Sequence, residues 1–174
     1  MRPVFLIGYM GAGKTTLGRS VATATGLPFI DLDDAITAEA GMGVSEIFKR
    51  EGEEGFRRRE TAMLRRLADT PAIIACGGGT PLQPGNMELM NSCGTTVWLQ
   101  AGVDRIVERL ILYPGDRPLI RDKDADELRR FVTAALDARS PRYSLCTATF
   151  DANLLDTPDQ LHDSTQQFIT RFLN

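Results

Sequence analysis

The chain has 174 residues, of which 43% are hydrophobic and 25% charged, and its formal net charge is −3. This length predicts a single domain over residues 1–174 with a sizeable core. The charge excludes a global attraction to nucleic acid or anionic membranes, and no apolar run approaches the length of a membrane span.

The cysteines and the single histidine give little sign of metal binding or thiol chemistry. The three cysteines are an odd number without metal-site spacing, which favours the reducing cytosol. The lone histidine, His162, is expected on a helix surface. Because the first motif begins at residue 8, we expect no signal or transit peptide, and we predict a cytoplasmic protein.

The first motif is a glycine-rich loop that ends in a lysine and a hydroxyl. Residues 8–15 read GYMGAGKT and fit G-x-x-x-x-G-K-[ST], the phosphate-binding P-loop. Its glycines let successive N–H groups turn inward around an anion. Lys14 adds a charge that can reach the β- and γ-phosphates, and the Thr15 hydroxyl is a suitable magnesium ligand.

The flanks of this loop match the context that the motif requires. Val4–Ile7 is a short apolar run that predicts a buried parallel strand, and Leu17, Val21 and Ala24 recur at helical spacing. A helix that starts near Gly13 would direct its positive end at a bound phosphate. The alternative is a glycine-rich turn that matches by accident.

Carboxylates follow the second predicted strand, residues 29–33. On an extended backbone Asp31 and Asp33 would point the same way, at the strand end where ligands of parallel sheets gather. We therefore expect one carboxylate on the magnesium side and one on the acceptor side. An N-cap cluster with Asp33 or Asp34 as the cap is the alternative, and both interpretations can hold together.

A helix dense in charge is predicted over about residues 53–67. Such a run is usually a solvated face, but the helical wheel places Glu60 inside the apolar stripe. It places Arg57 at the margin of that stripe and Arg58 on the exposed side. A buried carboxylate needs a partner, which Arg57 can supply, although an ordinary ion pair within the helix remains the alternative.

Three consecutive glycines end the third predicted strand, residues 72–76. Gly77, Gly78 and Gly79 would let a ligand approach the backbone closely and would expose N–H donors. A flexible turn is the alternative, although a plain turn rarely needs three glycines.

A polar loop follows the helix predicted at residues 103–112, from which Arg109 projects. The loop, residues 113–124, contains prolines, a glycine and several cations, including Arg117. It is expected to be a mobile lid that closes over phosphates and excludes water, with an ordinary surface loop as the alternative.

The last third of the chain predicts four further elements. They are a helix at residues 125–136, a second helical piece opened by Pro141, a weak strand at residues 147–153, and a final helix that begins at Pro158 behind a capping box of Thr157 and Gln160.

Together these segments resemble the shikimate kinase family over nearly the whole chain. The resemblance is carried by GYMGAGKTT at 8–16, DLDDAI at 31–36, EGFRRRE at 54–60, CGGGT at 76–80, DRPLI at 116–120 and ARSPRY at 138–143. It implies a three-layer α/β/α P-loop kinase fold with a five-stranded parallel sheet and a mobile lid. It also implies ATP-dependent phosphorylation of the shikimate 3-hydroxyl, a step towards chorismate and the aromatic amino acids.

The resemblance also implies roles for residues on the acceptor side. Asp33 would lie on the shikimate hydroxyls and is the candidate base for the attacking one. Arg57 and Arg139 would pair with the shikimate carboxylate, and Gly78 and Gly79 would contact the substrate. The acceptor-binding segment would span about residues 33–60.

On the nucleotide side, the implied ATP-binding residues are Gly11, Ala12, Gly13, Lys14, Thr15, Thr16, Arg109 and Arg117. Among them, Arg109 would stack on adenine, and Arg117 would close from the lid on the transferring phosphoryl group. Thr15 and Asp31 would serve Mg²⁺. The family resemblance favours a monomer that binds shikimate and ATP but neither nucleic acid nor membrane.

One departure from the family pattern concerns the substrate arginine. Arg142 stands where the family usually has an apolar residue, so Arg139 and Arg142 are both candidates for the carboxylate. The offset of Arg139 from Pro141 and Tyr143 favours Arg139. Three other functions remain as alternatives to shikimate phosphorylation: that of a gluconate kinase, that of a nucleoside-monophosphate kinase, and that of a nucleotide-binding regulator without transfer activity.

Overall fold

In the computed structural model, which describes residues 1–115 and 120–173, each strand is followed by one or two helices. The strands are β1 (Val4–Ile7), β2 (Phe29–Asp31), β3 (Ile73–Ala75), β4 (Thr95–Gln100) and β5 (Ala148–Asp151). The helices are α1 (Lys14–Thr25), α2 (Leu32–Ala40), α3 (Val44–Leu67), α4 (Asn86–Cys93), α5 (Val103–Leu112), α6 (Ala125–Tyr143) and α7 (Pro158–Phe172). A short 3₁₀ turn, Thr80–Leu82, lies between β3 and α4.

The strands form a five-stranded parallel sheet, as predicted, and their order in it is β2-β3-β1-β4-β5. The central strand is β1, in which Phe5 pairs with Ile74 of β3 and Thr96 of β4. Because parallel strands end at the same edge, the P-loop after β1, the aspartates after β2 and the glycines after β3 come together there. This edge positions the candidate site.

Alternate residues of β1 pack on opposite faces of the sheet. Val4 and Leu6 join an apolar core with α1 and α7, whereas Phe5 and Ile7 join a second core with α2, α3 and α4. All four side chains are buried. The strand is apolar throughout because helices cover both faces, which confirms the three-layer α/β/α prediction.

A third apolar cluster lies beside the P-loop, between α5 and α6. It contains Tyr9 of the loop, Leu110 of α5, Val132 of α6 and Ile120. The cluster ties the start of the P-loop to the two helices that flank the predicted lid. Across the described residues, no helix is both long and apolar enough to cross a bilayer.

The start of α2 is the first of the helix boundaries that differ from the prediction. The strand β2 ends at Asp31, whose carboxylate accepts a hydrogen bond from the Asp33 N–H at 3.1 Å and caps α2. Asp33 therefore lies in the first turn of α2 rather than on a strand, and the cap is neither Asp33 nor Asp34. The predicted alternation of Asp31 and Asp33 on a strand was wrong, because the cap competes successfully with strand extension.

The second difference is that α6 continues through Pro141 rather than restarting there. Pro141 lies in the last turn of α6, where its missing N–H removes only one helical bond. The N–H of Ser144 donates to the Ser140 carbonyl at 2.9 Å, so the helix closes normally after the proline.

The caps of α6 and α7, and the presence of α4, also differ from what the sequence predicted. Thr157 caps α7 as predicted, but Gln160 accepts from the Asp156 N–H, so the reciprocal bond of a capping box is shifted by one residue. A complete capping box joins Asp124 and Glu127 at the start of α6. The helix α4 was not predicted.

Candidate active site

The P-loop adopts a backbone that only glycine tolerates at its last turn. Gly13 has φ +94° and caps α1, and a Cβ at that position would lie 2.4 Å from Cδ1 of Leu155. Both the left-handed backbone and the tight contact explain why the motif has glycine there. The N-terminus of α1 consequently faces the space above the loop, as an anion site requires.

Lys14 lies folded against its own loop. Its ammonium group donates to the carbonyls of Gly8 at 2.9 Å and Tyr9 at 3.0 Å. These contacts hold the positive charge at the carboxyl end of β1, in the same cleft as the aspartates. A phosphate bound in the loop would offer the ammonium a charged acceptor in place of neutral carbonyls.

A cleft of about 590 Å³ opens above the carboxyl edge of the sheet. Its lining includes nine of the predicted site residues, namely Gly11, Gly13, Lys14, Thr15, Thr16, Asp31, Asp33, Gly78 and Arg109. Ala12 is buried instead, and its N–H donates to the Tyr9 carbonyl at 3.2 Å. Arg117 lies outside the described residues.

Asp31 and Asp33 face the same cleft, although Asp33 lies in α2 and not on the predicted strand. The Thr15 hydroxyl donates to Oδ2 of Asp31 at 3.3 Å, which places the two predicted magnesium ligands side by side. Burial raises the pKa of Asp33 from its usual 3.8 to about 6, and the neighbouring carboxylates of Glu60 and Asp31 act in the same direction. The buried Oδ1 atom of Asp33 has no hydrogen-bond partner among the described residues.

Glu60 is completely buried, as the helical wheel predicts, and it orients Arg57. Its Oε2 accepts from Nη1 of Arg57 at 2.7 Å, and its Oε1 accepts from the Thr80 hydroxyl at 2.5 Å. Arg58 is exposed and pairs with Glu54, also as predicted. Nε of Arg57 is buried without a hydrogen-bond partner in the described part of the chain.

The glycine loop after β3 packs directly on the two predicted substrate arginines. A Cβ on Gly79 would lie 2.6 Å from Nη1 of Arg57, and a Cβ on Gly78 would lie 3.3 Å from Nη1 of Arg139. Arg57, Arg139 and Gly79 thus lie at the margin of the cleft rather than in its lining. The absence of side chains on Gly78 and Gly79 lets both guanidinium groups approach the cleft.

The structure separates the two candidate arginines of α6. Arg139 lies by Gly78 at the cleft, whereas Arg142 lies 3.6 Å from Glu88 of α4 in an ion pair. Arg139 is therefore the one of the two that lies at the cleft, and its role as the carboxylate-binding residue stays a prediction.

Arg109 is held rigidly at the end of the cleft that is predicted to bind the nucleotide. Its Nε donates to Asp156 at 2.6 Å, and Nη2 donates to the Ala152 carbonyl at 2.9 Å. Nη1 also reaches the Gly11 carbonyl of the P-loop at 3.3 Å. Asp156 was missed by sequence reasoning, because no local pattern indicates a pairing across 47 residues.

Tyr143 was also not singled out as a site residue. Its hydroxyl donates to the Gly78 carbonyl at 2.6 Å, and the side chain is fully buried. Its position two residues after Pro141 in the ARSPRY segment was the available signal. Among residues 1–115 and 120–173, no group of three histidine, cysteine, aspartate or glutamate side chains is arranged to hold a metal.

The sequence is similar to shikimate kinases along nearly its whole length. The family model described as Shikimate kinase matches residues 10–170. A shikimate kinase of Parabacteroides distasonis is 44% identical over 164 residues, which cover 94% of this chain and 95% of that protein. A shikimate kinase of Bacteroides thetaiotaomicron is 41% identical over 165 residues, which cover 94% of each.

Solved structures show the same likeness. A shikimate kinase from Bacteroides thetaiotaomicron superposes with a TM-score of 0.93 at 40% identity, over 98% of this chain and 97% of that one. A shikimate kinase from Acinetobacter baumannii in complex with shikimate gives 0.83 at 31% identity, over 100% and 96%. A gluconokinase from Sinorhizobium meliloti gives 0.54 at 17% identity, over 98% and 94%, which shows a shared fold alone.

Proposed function

The chain belongs to the shikimate kinase family, and on that premise we propose that the cleft at the carboxyl edge of the sheet is its active site. The enzyme transfers the γ-phosphoryl group of ATP to the 3-hydroxyl of shikimate, giving shikimate 3-phosphate and ADP. This reaction is a step towards chorismate and the aromatic amino acids. The proposals below concern the residues that perform it.

The main support for an acceptor site here comes from two buried polar atoms, one on an acidic and one on a basic side chain. Oδ1 of Asp33 and Nε of Arg57 are both buried without a hydrogen-bond partner in the described part of the chain. Each such atom costs about 1–3 kcal/mol when it is left unpaired. Shikimate supplies complementary groups for both, since it has hydroxyls for the carboxylate and a carboxylate for the guanidinium.

Arg57 and Arg139 bind the substrate carboxylate from two sides of the glycine loop. Each guanidinium lies against one of the glycines Gly79 and Gly78, which also provide backbone N–H groups. A planar guanidinium is suited to two parallel hydrogen bonds with a carboxylate. Glu60 fixes the orientation of Arg57, because its buried carboxylate allows that side chain little freedom.

Asp33 accepts a hydrogen bond from the 3-hydroxyl and takes its proton during transfer. Its pKa of about 6 leaves the carboxylate mostly ionised at pH 7, yet close enough to neutrality to act as a base. Phosphoryl transfer relies mainly on positioning and charge stabilisation, so Asp33 contributes chiefly by aligning the attacking oxygen.

The P-loop binds the phosphates of ATP. The N–H groups of Gly11 and Gly13 and the N-terminus of α1 provide partial positive charge, Ala12 supports the loop between the two glycines, and Thr16 lines the same end of the cleft. Lys14 exchanges its carbonyl contacts for phosphate oxygens and stabilises the charge that develops in transfer. Arg109 provides a flat surface for adenine, and Arg117 completes the site from the lid at residues 113–124.

The oxygen ligands present at the nucleotide end fit magnesium. Thr15 and Asp31 are in mutual hydrogen-bond contact and line the cleft, and Mg²⁺ prefers a few such oxygens together with substrate phosphates. Asp31 and Thr15 would hold the ion, which would supply positive charge beside the phosphates. When bound, Mg²⁺ neutralises charge on the β- and γ-phosphates.

The enzyme acts as a cytoplasmic monomer with one domain. The acceptor-binding segment spans about residues 33–60 and includes the bend of α3 at Gly52, where φ is +70°. Size-exclusion chromatography with light scattering tests the monomer, and a mass of about one chain supports it.

The experiment that tests the site and the substrate together is ADP release with Mg²⁺ and ATP. Purified enzyme is assayed with shikimate, gluconate or CMP, and we expect release only with shikimate. Lys14→Ala should reduce kcat by about 100-fold or more, whereas Lys49→Ala, at an exposed position on α3, should leave it unchanged. Equal rates for these two variants would remove Lys14 from the proposed machinery.

A further inference from the structure

The Arg139 guanidinium lies over the face of an aromatic ring that belongs to the P-loop. Its Cζ atom is 5.1 Å from the centroid of the Tyr9 ring. This distance is within the range at which an aromatic ring attracts a cation. Among the described residues, no salt bridge joins Arg139 to a carboxylate, and the Tyr9 ring and the Tyr143 side chain are the groups that contact its guanidinium.

Tyr9 is itself held firmly at both its backbone and its side chain. Its carbonyl accepts hydrogen bonds from the Lys14 ammonium at 3.0 Å and from the Ala12 N–H at 3.2 Å. Its side chain is 1% exposed and packs in the apolar cluster with Leu110 and Val132. One residue therefore contacts the lysine of the nucleotide site and the arginine of the acceptor site.

The hydroxyl of Tyr9 contributes no visible contact of its own. It is buried and has no hydrogen-bond partner among residues 1–115 and 120–173. Burial raises the pKa of Tyr9, so the ring stays neutral at physiological pH. The part of Tyr9 that acts on Arg139 is accordingly the ring face and not the hydroxyl.

We propose that Tyr9 is a positioning residue that holds the Arg139 guanidinium, through its ring face, in the orientation that receives the carboxylate of the acid substrate. This inference rests on the proposed role of Arg139 in shikimate binding. Tyr143 supports the same arrangement, because its hydroxyl donates to the Gly78 carbonyl and it also contacts Arg139. Tyr9 thereby connects the phosphate loop with the acceptor site.

The sharpest test changes the electron density of the ring without changing its size. Phenylalanine and its mono-, di- and trifluoro derivatives are incorporated at position 9, and shikimate and ATP affinities are measured by calorimetry. Tyr9→Phe should retain the shikimate Kd. Successive fluorination should then raise that Kd stepwise, by about five-fold in total, with the ATP Kd constant. A flat shikimate Kd across the series would overturn the inference.

A double-mutant cycle distinguishes this failure from failure of the proposed function. Tyr9→Met removes the ring with a flexible apolar replacement, and it is combined with Arg139→Ala. If Tyr9 acts through Arg139, the double variant should bind shikimate as weakly as Arg139→Ala alone. Independent, additive losses would overturn the Tyr9 inference, whereas an unchanged Kd in Arg139→Ala would instead overturn the proposed role of Arg139. The fluorinated series decides the question if Tyr9→Met does not fold.

Discussion

Glu60 and Arg57 form an ion pair with an N–O distance of 2.7 Å, in which the Glu60 side chain is fully buried and the Arg57 side chain is 22% exposed. The pair is anchored further by the Thr80 hydroxyl, which donates to the other carboxylate oxygen. A buried ion pair of this kind is costly to break, because the remaining charge is left without compensation. The pair consequently links the stability of α3 with the orientation of the guanidinium that we propose binds the substrate carboxylate.

The first prediction compares two adjacent arginines of α3. Arg57→Ala should weaken shikimate binding at least about 30-fold, with ATP binding nearly unchanged, and should lower the free energy of unfolding by about 3 kcal/mol. Arg58→Ala is the matched control, because Arg58 is exposed and its partner Glu54 is 88% exposed. Calorimetry and urea unfolding measure both effects. Equal losses for the two substrates in Arg57→Ala would indicate a purely structural arginine.

A second prediction concerns the carboxylate that orients Arg57. Glu60→Gln keeps the volume of the side chain but removes its charge, so KM for shikimate should rise roughly ten-fold while KM for ATP stays constant. The Glu60 charge also raises the pKa of Asp33, so the acid limb of kcat/KM should move to lower pH. Glu54→Gln is the exposed control. An acid limb that does not move in Glu60→Gln would contradict the coupling.

A third prediction follows from the raised pKa of Asp33. The folded state holds this proton more tightly than the unfolded state does, so the stability from Asp33 is greatest below pH 3.8 and is lost as the pH rises through about 6. Asp33→Asn should therefore increase the free energy of unfolding at pH 8 by up to about 3 kcal/mol and have little effect at pH 4. Urea unfolding at both pH values measures this difference.

The control for this prediction is Asp34→Asn, since Asp34 is exposed in the same turn of α2. It should show no gain at pH 8. The same titration should lower kcat/KM for shikimate below about pH 6, because the protonated carboxyl cannot accept the hydroxyl proton. If Asp33→Asn and the wild type have the same free energy of unfolding at pH 8, burial does not destabilise the charged carboxylate.

The fourth prediction concerns the close approach of Gly79 to Arg57. A Cβ on Gly79 would lie 2.6 Å from Nη1 of Arg57, at the flexible end of that side chain. Gly79→Ala should therefore displace the guanidinium while the fold is retained, and KM for shikimate should rise by roughly ten-fold or more. Gly43→Ala is the control, because no atom lies within 4 Å of its Cβ position. Unchanged steady-state kinetics in Gly79→Ala would show that Arg57 does not need its present position.

Much of the fold follows from local patterns that the sequence displays directly. The apolar run of β1 and the glycines after it predict strand, loop and helix, because periodicity and backbone freedom are properties of neighbouring residues. The helical wheel likewise separates buried Glu60 from exposed Arg58, since 3.6 residues per turn decides which side chains share a face. These features need no knowledge of distant contacts.

Only the tertiary structure determined the contacts between residues that are far apart in the chain. The approach of Arg139 to Tyr9, and of Arg109 to Asp156, arises only when α5, α6 and the segment before α7 pack around the end of the sheet. Asp33 shows the difference most clearly. Its chain position suggested the right cleft, but its raised pKa comes from burial beside Glu60 and Asp31, which no local pattern contains. Desolvation and charge–charge interactions act through space, so the packing of the folded chain determines how much they raise this pKa.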